Sequence, residues 1–70
     1  MIEVFKTNIH SKKIADQIRK CLEEAFPGHS INFDLEDRDK ILRIEAESLD
    51  CEKVMEMVKC NDIAITILED

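Results

Sequence analysis

Three features of the sequence predict an α+β fold in the order strand, helix, strand, strand, helix, strand. Two stretches carry apolar residues at helical spacing, one from Ile14 to Phe26 and one from Leu49 to Val58. Four short runs rich in β-branched, aromatic or alternating apolar residues lie around them. Polar or Pro-Gly breaks separate these segments. Each helix has one apolar face to hide, and so does each strand. A four-stranded antiparallel sheet with both helices on one side satisfies all of them.

Residues 2–9 read as the first strand, with Phe5, Thr7 and Ile9 on one face and Val4, Lys6 and Asn8 on the other. Ile2 and Val4 compete with that register. Ser11 is suited to cap the helix that follows, its hydroxyl accepting from an otherwise unpaired amide in the first turn. Ile14, Ile18, Cys21, Leu22, Ala25 and Phe26 form the helix's apolar stripe, which makes Cys21 a small buried hydrophobe. Pro27-Gly28 ends the helix. Ile31, Phe33 and Leu35 alternate along the second strand. Leu42, Ile44 and Ala46 do so along the third, with Ile41 on the opposite face. Glu36 to Asp39 is the polar turn between them, built on aspartates that bond neighbouring amides. Asp50 caps the second helix, whose inward positions are Val54 and Val58, with Met55 and Met57 beside them. Cys60-Asn61-Asp62 ends it, Asn61 being the residue suited to a left-handed turn. Ile63, Ile65 and Ile67 close the chain as a fourth strand.

The chain's 70 residues suit one domain over 1–70, and a domain this small is marginally stable. A net charge of -6 argues against nucleic acid, which needs clustered Lys and Arg. The charge is uneven. Residues 1–20 hold five Lys or Arg against Glu3 and Asp16, a local balance of +3. No apolar run spans a bilayer and no signal region begins the sequence, because Glu3 and Lys6 interrupt it. Three cysteines without tight pairing do not build a disulfide frame, so a cytoplasmic protein is expected. There is no nucleophile–base pair at recognisable local spacing and no glycine-rich phosphate loop. No catalytic residue is assigned, and the chain is not expected to be an enzyme.

The element order predicts a ferredoxin-like βαββαβ sandwich with strands one and three in the centre. That arrangement gathers the loop at His10, the turn Asp37–Asp39 and the segment Cys60–Asp62 at one edge. Pro27-Gly28-His29 and Cys51 fall at the other. Nearly the whole chain resembles the heavy-metal-associated domain of copper chaperones, mercury-binding proteins and metal-pumping ATPases. The positions that carry the resemblance are the strand end Asn8-Ile9 with the helix after it, Phe26-Pro27-Gly28, the strand Ile31–Leu35, and Val54 with Val58. In that family a Gly-Met pair and a Cys-x-x-Cys occupy the first junction. Here Asn8-Ile9 and then Ser11 and Ile14 stand at those positions. Soft metals are selected by thiolates, and neither a serine hydroxyl nor isoleucine replaces them.

The resemblance therefore implies a degenerate metal site and a protein-interaction module without dithiolate metal transfer or a tightly held cofactor. Its candidate partner-binding residues are Lys12, Lys13, Arg19 and Lys20, a basic face that steers an acidic protein. Self-association through the open sheet face, at Val4, Ile41 and Ala64 or Leu68, is a second possibility. The alternative keeps weak copper or zinc binding at His10 and Cys60, with Asp62 nearby. The plainer reading has Cys60 packed under the sheet edge and His10 solvated. Cys51, in the first turn of the second helix, is expected to have its thiol pKa lowered by the helix dipole.

Overall fold

A computed structural model describes residues 1–68. Its elements are β1 (Ile2–Thr7), α1 (Lys12–Ala25), β2 (Ser30–Asp34), β3 (Ile41–Glu45), α2 (Cys51–Lys59) and β4 (Ile65–Ile67). The strands form one antiparallel sheet in the order β2-β3-β1-β4. Strands one and three are central, as the ferredoxin-like reading requires. The register pairs Phe5 with Leu42 and Ile67 and pairs Thr7 with Ile65. Ile31 lies opposite Ile44, and Phe33 lies opposite Leu42.

The alternation and the helical spacing meet in a single core. Phe5, Ile31, Leu42, Ile44 and Ile65 reach it from the sheet, and Ala15, Ile18, Leu22, Val54 and Val58 from the helices. Ile9 joins them although β1 has ended two residues earlier. Among the described residues no polar or charged residue is buried in this core. Both helix starts are capped as the sequence indicates. Ser11 accepts from the Ile14 amide at 3.4 Å, and Asp50 accepts from the Lys53 amide at 3.2 Å. Gly28 ends α1's exit turn with φ +85, a conformation that other residues adopt only with strain. The β2–β3 turn is held by Asp37, whose carboxylate accepts from the Asp39 amide at 2.8 Å.

Three expectations about the fold need correction. Cys21 is exposed, and Ala15 takes the buried place instead. Ala15, Ile18 and Leu22 point at the sheet, while Cys21 and Ala25 turn sideways toward α2 across an open gap. Asp62, not Asn61, takes the left-handed conformation, with φ 62. Asn61 instead uses its side-chain amide to cap α2, donating to the Met57 carbonyl at 2.9 Å. Cys60 is also exposed and does not pack under the sheet edge.

Candidate functional site

The β1–α1 junction is stitched to two other loops. Thr7 is the hub. Its amide donates to the Asp39 carbonyl at 3.1 Å, and its hydroxyl donates to the Lys40 carbonyl at 2.6 Å. The same hydroxyl accepts from the Ile9 amide at 3.2 Å, which turns the chain inward and delivers Ile9 to the core. Lys6 adds an exposed ion pair with Asp39 at 3.7 Å. On the other side, the Asn8 side-chain oxygen accepts from the Ala64 amide at 3.0 Å. These bonds put the β1 exit, the hairpin turn and the α2–β4 loop on one edge of the sheet, as the topology predicts.

This edge has little to offer a soft metal. Ser11's hydroxyl already accepts from the Ile14 amide, and Ile14 packs partly into the core. The donor set does not fit the dithiolate site that the resemblance would imply. His10 is exposed on the junction, and Cys60 is exposed where α2 ends. Among the described residues, no group of three or more His, Cys, Asp or Glu side chains is arranged to hold a metal ion. Also among them, no helix is long and apolar enough to cross a membrane.

The basic face of α1 divides into two kinds of side chain. Lys12, Lys13 and Lys20 are exposed. Arg19 is engaged within the fold. Its guanidinium lies 3.4 Å from Asp16 and 5.7 Å from the centre of the Phe33 ring, a cation–π distance, and its Nε is buried without a partner. The helix has no acid in its first turn and no base in its last. Lys12 and Lys13 instead stand at the positive end of the helix dipole, and Glu23 and Glu24 stand at the negative end. Each such placement costs roughly 0.3–1 kcal/mol at an exposed position.

Cys51 departs from its expectation. Burial raises its thiol pKa, and the nearby carboxylates of Glu3 and Asp50 raise it further. Together they outweigh the lowering effect of the backbone amide at the helix start. A folded-state pKa above the unfolded one means that folding favours the neutral thiol. That contribution is complete below the unfolded value and is lost as pH rises through the folded one. The denaturation midpoint of the wild type should therefore fall faster than that of Cys51→Ser from about pH 8 upward. Parallel midpoints for the two proteins across that range would contradict the assignment.

A second concave feature was not foreseen. An open groove runs between α1 and α2, with Cys21, Ala25, Phe26 and Met57 among the residues that line it. Sequence periodicity placed these side chains on apolar helix faces without showing that the two helices stand apart. No protein-family model matches the chain, and no curated protein matches it in sequence. What the structure shares with heavy-metal-associated domains is the ferredoxin-like βαββαβ topology, and no sequence match ties the chain to that family.

Proposed function

We propose that this chain is a heavy-metal-associated-like domain working as a protein-interaction module, with no enzymatic activity and no dithiolate metal transfer. One observation carries the reading. The junction is held closed by Thr7, Asn8 and Ser11, all engaged in hydrogen bonds to the chain's own backbone, and exposed Lys12 and Lys13 follow at an acid-free helix start. A junction whose polar side chains are already hydrogen-bonded, beside uncompensated positive charge, suits an acidic protein segment better than a cation. Lys12, Lys13 and Lys20 make that contact, while Arg19 shapes the face from its place over Phe33. Three free cysteines suit a reducing, cytoplasmic setting. The test is binding of a glutamate-rich peptide by fluorescence anisotropy at two salt concentrations. Lys13→Glu with Lys20→Glu should weaken association about tenfold or more, and binding should fall with salt. Equal binding by wild type and variant would remove the basic face from the proposal and leave self-association through Val4, Ile41 and Leu68 as its remaining surface.

A second reading keeps weak zinc or cuprous binding at His10 and Cys60. The bond between Asn8 and Ala64 favours it, because it ties the loop of His10 to the segment that follows Cys60. This reading predicts a one-to-one complex that Cys60→Ser abolishes. Titration with each ion decides it: no uptake, or uptake indifferent to the substitution, ends it.

A further inference from the structure

The groove between α1 and α2 has an apolar floor and an acidic rim. Ala25, Phe26 and Met57 contribute apolar surface, and Glu24, Asp50 and Glu56 stand around it against the single cation Lys53. We propose that this groove is a second docking site, and that its occupant is a cationic amphipathic helix of a partner protein. The apolar stripe of that helix would lie on Met57 and Ala25, with its Lys or Arg side chains reaching Glu24 and Glu56.

The geometry suits a helix. The nine residues of α2 span about 13 Å, so the groove accepts between two and three turns. A third helix laid there packs on two antiparallel neighbours by the ordinary meshing of side-chain ridges and grooves, and its stripe replaces water over the apolar floor. The electrostatics select the sign of the partner. Glu23 and Glu24 sit at the end of α1 where the dipole disfavours acids, with no base in the last turn to offset them. Local rules of this kind are broken most often where function requires it. A cation on the partner would neutralise Glu24 and relieve that conflict on binding. The site is separate from the basic helix start, so the two ends of α1 would receive partners of opposite charge.

The chain's own methionines report on the groove. There are three: Met57 lines it, Met55 lies on the other flank of α2, and Met1 lies at the exposed start of β1. With carbon-13-labelled methionine methyls, a short synthetic leucine–lysine amphipathic helix should shift the Met57 signal and leave Met1 unmoved. The leucine–glutamate counterpart should shift neither. Glu24→Lys with Glu56→Lys should weaken the leucine–lysine peptide about tenfold, whereas Glu36→Lys in the remote hairpin turn should change affinity less than twofold. Glu24→Lys should also raise the melting temperature, which separates loss of the site from loss of the fold. The proposal fails on any of three results: Met1 shifts in place of Met57, the glutamate peptide binds equally, or Glu36→Lys costs as much as the groove substitutions. It fails too if Met57 responds to protein concentration without peptide, since the occupant would then be a second copy of the chain.

Discussion

Leu22→Ala should cost about 3–5 kcal/mol, while Cys21→Ala, one residue away on the same helix, should cost less than about 0.5 kcal/mol. Leu22 is fully buried between α1 and the sheet, and Cys21 is exposed in the gap beside α2. Truncating Leu22 removes its apolar area and leaves a cavity in the core that it shares with Phe5 and Leu42 of the central strands, and close-packed surroundings relax into such a cavity only in part. A chain of 70 residues has a total stability on the order of 4–10 kcal/mol. The Leu22 variant should therefore lose between about a third and all of that stability, with its urea midpoint by circular dichroism falling in proportion, whereas Cys21→Ala should retain the wild-type midpoint. Comparable losses from the two substitutions would mean that α1 is rotated about its axis from the orientation described.

That pair of substitutions also marks the limit of what periodicity conveys. Leu22 and Cys21 both belong to the stripe that spacing draws on α1, and the fold follows from the stripe as a whole. Which edge of it meets the sheet depends on how far apart the helices stand. The far wall of the gap belongs to α2, with Lys53 and Met57 among its residues, so the gap is not written in α1. The same cause hid the groove. The end of α2 shows a subtler limit: Asn61 is the better left-handed residue by propensity, yet its amide is used on the Met57 carbonyl and Asp62 makes the turn. Position in the fold outweighed a difference between two residue types that both tolerate the conformation. The reversed charges of α1, in contrast, are legible directly as Lys12-Lys13 at its start and Glu23-Glu24 at its end. Their meaning comes only with the neighbouring surfaces.

The junction was legible as a place and illegible as an activity, and a gain of function tests that division most sharply. Ser11→Cys with Ile14→Cys should create cuprous-ion binding at least about a hundredfold tighter than the wild type's, read by competition with a cuprous chelator. The side chain at position 11 already reaches the first turn, its oxygen lying 3.4 Å from the Ile14 amide. A thiolate there and one three residues on would share the same face of the helix start. The substitutions carry costs: losing the Ser11 cap removes about 1 kcal/mol, and shortening half-buried Ile14 removes about the same. Lys12 and Lys13 oppose a cation as well, although two thiolates carry compensating charge. A hundredfold gain corresponds to about 2.8 kcal/mol, which two soft ligands supply readily against these terms. Adding Lys13→Ala should tighten the site further. If the double cysteine variant folds, with an unchanged β-sheet spectrum, and still binds no better than the wild type, the backbone at Asn8–Ile14 differs from that of a metal loop. The hydrogen bond from Ala64 to Asn8 and the burial of Ile9 would then be the features that hold it in its own arrangement.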